Sequence, residues 1–425
     1  MRMTDMQQSD RTSRRTNRSF RLPRNVWAVT ITSFLTDISS EMLLSLLPLF
    51  LYGVLGVRTS VIGLIEGLAE STASLLKVFS GWFSDRLGRR KGLAVMGYAL
   101  STVAKPFLYF ATTWWAVLGV RFTDRVGKGL RTAPRDALVA DSVDEKQRGL
   151  AFGLHRAGDT AGAVIGLMLA LGLMALIGES AQLTRSSFQL VVLLSILPAA
   201  AAVVVLAAGA REKAPLRGRS KTPRLSLSGM DSRFRWFLFI VVLFTLGNSS
   251  DAFLIIRAQT AGLGVDGVLG MMISFNLAYA VIATPAGALS DRIGRKRVLI
   301  GGWLLYALVY LGFSRASSGW QAWVLMLVYG LYYGLTEGVA KALVADLVPE
   351  ERRGTAYGLY NAAIGLMVFP ASAIAGLLWQ GVGGWSGFGP SAPFLFGALM
   401  ALASALLLAF MPGSTSRSQT KSTAG

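Results

Sequence analysis

The sequence predicts an all-α polytopic membrane protein, with twelve transmembrane helices arranged as two pseudo-symmetric six-helix bundles and both termini cytoplasmic. Three observations predict it. The first is composition. Of 425 residues, 53% are hydrophobic and only 15% charged, with a mean hydropathy of +0.51, whereas a soluble chain is about a quarter charged. A water-soluble enzyme and a disordered chain are both excluded. The second is the grouping of apolar residues into twelve runs near the ~20 residues that a helix needs to cross a bilayer. In hydrocarbon every backbone polar group must be satisfied internally, and runs of this length do so as helices. The third is the sorting of charge. With both ends cytoplasmic, the inner segments hold 29 Lys and Arg, and the outer loops hold only Arg58, Arg185, Arg257 and Arg315, a positive-inside pattern. The net charge of +19 therefore reports topology, and no nucleic-acid partner is expected.

Residues 1–26 carry seven arginines and read as a cytoplasmic tail, not a cleavable leader. The N-terminal bundle, 27–210, follows. Its first run, 27–52, carries Asp37 and Glu41 one turn apart. In the second, 60–84, Glu66, Glu70 and Lys77 fall within about 40° on a helix, with Ser74 flanking them. The third, 92–112, holds Lys105. The fourth, 114–140, opens on Trp114 and Trp115, an interfacial anchor. It then carries Arg121, Asp124, Arg125, Lys128, Arg131, Arg135 and Asp136 over an arc of about 140°, and Pro134 predicts a kink. The fifth, 150–177, sets His155, Asp159, Gly162 and Gly166 on one face, and the sixth spans 187–209. A basic cytoplasmic linker, 211–235, leads into the C-terminal bundle, 236–411. Its runs are 236–257 with Asp251, 266–289, 298–314, 320–346 with the one-turn pair Glu337 and Lys341, 355–379 with Pro370, and 392–411. GVGGWSGFGP at 381–390 reads as an outer loop. The last residues, 412–425, are Ser/Thr-rich and predicted to be disordered.

The two halves repeat. GWFSDRLGRRKGL at 81–93 matches GALSDRIGRKRVL at 287–299. ADSVDEKQRGLAFGLHRA at 140–157 matches ADLVPEERRGTAYGLYNA at 345–362, with ten of eighteen positions identical, and FLTDISSE at 34–41 echoes FTLGNSSD at 244–251. A parallel repeat of this kind predicts two similar bundles facing one another across a central cavity.

Over essentially the whole chain these residues resemble the major facilitator superfamily. The signal is the loop Gly81-x-x-x-Asp85-Arg86-x-Gly88-Arg89-Arg90, present again as Gly287-x-x-x-Asp291-Arg292-x-Gly294-Arg295-Lys296. The resemblance implies that this loop locks a cytoplasmic gate, with Asp85 and Asp291 pairing with basic groups across the inner seam. Asp141 and Asp346, at the ends of the fourth and tenth runs, are similar to the acidic partners that complete each gate cluster. Arg121-Phe-Thr-Asp124-Arg125 resembles the family's helix-4 motif associated with proton coupling in drug antiporters, but Asp124 replaces Gln and Arg125 replaces Gly. Gly158, Gly162 and Gly166 are similar to the helix-5 antiporter motif without its proline. TDISSEM together with DRVGKGLRTAPRDA looks like a bacterial subgroup. A bacterial inner-membrane location and a monomer are implied.

The embedded charges supply the chemistry. Leaving aside charges at the very ends of the runs, nine bases and nine acids lie within the membrane zone. A charge in hydrocarbon costs at least about 2.5–3.5 kcal/mol, so such residues face the interior and pair. The first two runs sum to −3 and the fourth to +3, which predicts that their faces meet. Asp37 sits roughly 15 Å into its helix, near mid-membrane. It and Glu41 resist joint ionisation in low dielectric, which suits reversible proton loading. Glu66, Glu70, Arg121, Asp124, Arg125, Lys128, His155, Asp159 and Asp251 complete the candidate coupling and substrate set. A bound proton and a substrate competing for one carboxylate would give antiport. The expected function is secondary active transport by alternating access: proton-coupled export of a small organic solute, or alternatively uptake or exchange of an organic anion through the Arg-rich fourth helix. No cysteines and a single histidine argue against a metal site. No cofactor beyond the proton is implied. No phosphate-binding Gly-x-x-x-x-Gly-Lys-Ser/Thr and no nucleophile–base set occurs, so the chain is not expected to be an enzyme.

Overall fold

A computed structural model describes residues 22–144, 147–179, 181–212 and 226–412. The 1–26 tail, the 211–235 linker and the 412–425 tail fall largely outside the described residues.

Among the described residues the chain is helical, with no strand. The first six helical segments are α1 Arg24–Val54, α2 Thr59–Leu87, α3 Arg90–Phe110, α4 Trp114–Ala140, α5 Arg148–Ile177 and α6 Arg185–Gly209. The second six are α7 Ser232–Thr260, α8 Val265–Ile293, α9 Arg295–Arg315, α10 Gly319–Asp346, α11 Arg353–Gln380 and α12 Ala392–Phe410. Nine of these are long and apolar enough to cross a membrane. The other three, α2, α4 and α10, have the length at 29, 27 and 28 residues. They fall short in apolar character because they carry Glu66, Glu70 and Lys77, the α4 charge stripe, and Glu337 with Lys341. Their polarity is inward-facing, as the site below shows.

The helices exceed the expected runs by a few residues at most ends, because the capping turns are polar and invisible to hydropathy. Two departures are larger. α1 turns at Ser45–Leu46, ahead of Pro48, and ends in a π-helical turn, Phe50–Val54. α7 is interrupted after Gly247 and resumes at Ala252, which leaves Asn248, Ser249, Ser250 and Asp251 outside regular helix. Pro134 and Pro370 sit inside α4 and α11, as do Pro198 and Pro285 inside α6 and α8.

Packing repeats as the sequence does. α1 packs on α5 and α6, α2 on α4, and α3 on α4 and α6; α7 packs on α11 and α12, α8 on α10, and α9 on α10 and α12. The two sets meet at α2 against α11 and at α5 against α8, a pair of seams that the same two-fold relation exchanges. Glycine permits the closest approaches. A Cβ on Gly162 or Gly166 of α5 would lie 2.4 or 2.5 Å from the carbonyl oxygens of Phe34 and Ile38 on α1, and one on Gly63 of α2 would lie 2.2 Å from that of Ser372 on α11. Ser71 reinforces the α2–α11 seam, donating to the Gly365 carbonyl at 2.6 Å and accepting from Phe369 N–H at 3.1 Å. Thr59 N–H donates to Gln380 at 2.9 Å near its end.

Outward faces are apolar. In α5, α6, α8 and α11 only 33% of the most apolar window is buried within the protein, and Leu176, Val281 and Phe410 are more than 70% exposed. Such a surface is stable only against lipid. The second half, poorer in charge, is cored by stacked rings: Phe244 on Trp303 at 4.7 Å and Tyr306 on Tyr310 at 4.0 Å.

Candidate functional site

Two adjoining chambers lie between the halves. The wider, of about 730 Å³, is walled by α1, α4 and α5 from one side and α8 and α10 from the other. The deeper, of about 460 Å³, reaches from Glu41 to the break in α7. Glu41 and Asn276 line both. The wide chamber lies towards the end of the bundle that carries the repeated loops, while Thr59 and Gln380 close the seam at the opposite end.

The α4 stripe meets the acids of α2 in two layers one helical turn apart, as an i, i+4 arrangement requires, and in a third layer it meets polar groups of α1 and α3 instead of the α1 acids. In the first layer Arg121 grips Glu66 with two nitrogens, Nε at 3.2 Å and Nη2 at 2.5 Å, and both side chains are at least nine-tenths buried. A bidentate guanidinium–carboxylate pair is the strongest form of this contact. In the second, Arg125 reaches Glu70 at 3.0 Å and Asp124 at 3.6 Å, and Asp124 is also 4.0 Å from Arg121. In the third, Arg131 donates to Ser101 and lies 4.5 Å over the Tyr98 ring. Arg135 is held by Asp136 at 2.9 Å and by Ser33 at 3.1 Å.

The candidates therefore separate. Glu66, Glu70, Arg121 and Arg125 are paired and wall the deep chamber, and Asp124 braces the two arginines. Asp37, Glu41 and Lys128 line the wide chamber with no ion pair within 4 Å among the described residues. Asp159 stands 3.7 Å from buried His155, and among the described residues neither His155 nitrogen has a hydrogen-bond partner. Gly162 and Gly166 share that face of α5 but are spent on packing against α1. Asp251 comes from the other half, at the α7 break, and accepts from Tyr329 OH at 3.0 Å. Among the described residues, no group of three or more His, Asp or Glu is placed to hold a metal ion.

The loop residues fall into one cluster per half. Arg90, not Arg86 or Arg89, pairs with Asp141. Arg86 lies 5.5 Å over Trp82, and Arg89 is exposed. In the second copy Arg295 bridges Asp291 at 3.6 Å and Asp346 at 3.1 Å, and Arg292 is exposed. The expected pairing of Asp291 across the seam is corrected accordingly. Its partner is Arg295, just across the Gly294 turn at the start of α9 in the same half, and Asp346 of α10 shares that arginine. The side chain of Asp85 lies outside the described set. Gly88, at φ 62° and ψ 19°, makes the left-handed cap that ends α2, and Gly294 ends α8 at φ 97° and ψ 134°, a positive φ that favours glycine. Gly81 approaches Ala133 of α4 within its own half, and Gly287 has open space around it.

The sequence reading passed over one group. Arg156 of α5 crosses the seam to Glu337 of α10 at 3.1 Å and also bonds Tyr279 of α8. Tyr279 OH donates to Glu337 at 2.7 Å, and Lys341 holds the other oxygen at 2.9 Å. The Glu337–Lys341 pair was visible as spacing, but Tyr279 looks like any aromatic in an apolar run. Lys105 was also placed without partners; its Nζ donates to Ser39 at 2.5 Å and Ser40 at 3.3 Å.

Lipid-facing helices around a charged central cavity are the build of a membrane transporter. The chain belongs to the Major Facilitator Superfamily, whose family model matches residues 29–275 and 255–425; it is a multi-pass transporter of that family and not an enzyme. It is 36% identical over 396 residues to an uncharacterized MFS-type transporter of Methanocaldococcus jannaschii, covering 92% of this chain and 95% of that one. It is 22% identical over 370 residues to a multi-drug resistance efflux pump PmrA homolog of Lactococcus lactis, covering 84% and 89%. Among solved structures, the nucleoside transporter NupG superposes with a TM-score of 0.75 at 14% identity, covering 92% of this chain and all of that one.

Proposed function

We propose that this protein is a proton-coupled exporter of a small organic solute, working by alternating access. In this reading all twelve helical segments span the bacterial inner membrane, both termini are cytoplasmic, and 27–210 and 236–411 rock against each other as a monomer. The two loop clusters, Arg90–Asp141 and Asp291–Arg295–Asp346, are the gate at the cytoplasmic end. Similarity to the efflux-pump homolog supports export.

The observation that carries the reading is that, among the described residues, Asp37 and Glu41 on the chamber wall have no ion pair, whereas Glu66, Glu70, Asp124, Asp136 and Glu337 each hold an arginine. A free carboxylate pair in low dielectric binds a proton or a cationic group, not both. Protonation from one side would release the solute, and deprotonation to the other would reload the site. In proteoliposomes, an imposed pH gradient drives ethidium or tetraphenylphosphonium movement by the wild type, and Asp37→Asn abolishes it while the protein still elutes and melts as a folded monomer. Undiminished gradient-driven flux in that variant removes Asp37 from the mechanism.

The anion-uptake alternative draws on the α4 arginines. Arg121 and Arg125 already hold Glu66 and Glu70, which leaves Lys128 as its main unpaired cation on that helix. Succinate as probe, with Lys128→Gln and Arg125→Gln, tests it.

A further inference from the structure

The echo of FLTDISSE in FTLGNSSD puts Glu41 of α1 and Asp251 of α7 at equivalent positions of the two halves. The structure brings both to the wall of the deep chamber, one from each half. Neither has a cation within 4 Å among the described residues, and Asp251 keeps only the Tyr329 hydroxyl. The arginines of that chamber do not compensate them, since Arg121 and Arg125 are held by Glu66 and Glu70. The deep chamber thus has four carboxylates, Glu41, Glu66, Glu70 and Asp251, against two guanidiniums.

The wide chamber has the opposite bias, six Lys and Arg against five Asp and Glu. Of its cations, Arg131, Arg135, Arg156 and Lys341 have polar partners, whereas among the described residues the Lys77 and Lys128 ammoniums have no ion pair within 4 Å, and Lys128 is the one of these two on the α4 stripe. Glu41 and Asn276 line both chambers, so Lys128 and the Glu41–Asp251 pair lie on adjoining walls. Ions removed from bulk water need counter-charge. A solute that is only a cation satisfies the deep pair but meets Lys128; one that is only an anion satisfies Lys128 but meets the deep negative excess.

We propose that the solute is amphoteric: an ammonium-type group sits between Glu41 and Asp251, and an anionic group further along the same molecule sits on Lys128. This rests on the transport reading above and names its substrate class. The ammonium would draw the two halves together, because its two carboxylate partners belong to different bundles.

The test uses the full-length protein in nanodiscs and a ladder of ω-amino acids, 4-aminobutyrate, 6-aminohexanoate and 8-aminooctanoate, each beside its methyl ester and its N-acetyl derivative. Binding is read by thermal stabilisation and by Trp fluorescence. The best-fitting length binds at least about tenfold more tightly than either single-charge derivative. Glu41→Gln and Asp251→Asn weaken the parent and the ester but leave the N-acetyl form, and Lys128→Met does the reverse, with Lys128→Arg restoring binding. Should a carboxylate variant fail to fold, the wild-type comparison of parent, ester and N-acetyl forms still decides. An ester or N-acetyl form as tight as its parent at every length overturns the proposal, and so does absence of stabilisation by every member. Either result leaves the proton-coupled reading intact if Asp37→Asn still abolishes gradient-driven ethidium flux. That reading fails separately if the gradient moves no probe at all.

Discussion

At the scale of single residues, a guanidinium or a carboxylate inside this bundle is costly to bury, and pairing the two offsets that cost. Arg121 and Glu66 show it most plainly, since both are almost wholly buried and joined by two hydrogen bonds. Removing one partner strands the other charge, at a cost of about 3–5 kcal/mol, while replacing both with apolar groups of similar volume is close to neutral or stabilising. Glu66→Leu and Arg121→Leu should therefore each lower the detergent melting temperature sharply, and the double variant should recover most of the loss. A double variant as unstable as the worse single would show that the pair contributes more than mutual neutralisation. Asp37, Glu41 and Lys128 obey the same physics with the partner missing, and that vacancy separates a binding group from a structural one.

At the scale of helices, glycine decides how closely neighbours lie. Gly162 and Gly166 let α5 rest on the α1 backbone, whereas Gly172, on the same helix, has nothing within 4 Å of a would-be Cβ. Gly162→Ala and Gly166→Ala should each cost about 1–3 kcal/mol by overpacking. Gly172→Ala should be neutral or slightly stabilising, since alanine is the better helix former. Thermal unfolding of the three purified variants checks the contrast, and equal losses in all three would contradict it. The helix boundaries were legible because apolar runs end where polar caps begin. The break in α7 was not. Asn248, Ser249 and Ser250 are few and small, and hydropathy averaged over a span-length window dilutes them. The partition of the α4 stripe was half legible: the shared face followed from 3.6 residues per turn, but which acid each base meets depends on where α1 and α2 lie.

At the scale of the whole molecule, the halves are joined differently on their two seams. The α2–α11 seam is close backbone contact at glycine with uncharged hydrogen bonds from Ser71 and Thr59, while α5 meets the other half through the charged Arg156–Glu337 pair and Tyr279 beside the open chamber. A polar tie of this kind can be broken and remade in water, so it sets the balance between conformers. Arg156→Glu and Glu337→Arg should each broaden the distances between spin labels on the two motif-bearing ends, and the double swap should narrow them again. The chain has no native cysteine, so cysteine-directed labels at two chosen sites report those sites alone. Unchanged distance distributions in both single variants would assign the tie to static packing.

The sequence by itself determined the helical membrane class, the two-fold repeat, the family resemblance and the set of charges that must face inward. All of these follow from local periodicity and from the cost of placing charge in hydrocarbon, which act on each segment separately. Only the tertiary structure decided which of those charges are neutralised and which stand open: that Asp291 meets Arg295 in its own half, that Arg156 crosses to Glu337, and that Glu41 and Asp251 share one chamber. Pairing depends on separations of a few ångströms between side chains far apart in the chain, and those separations are fixed only when the helices pack.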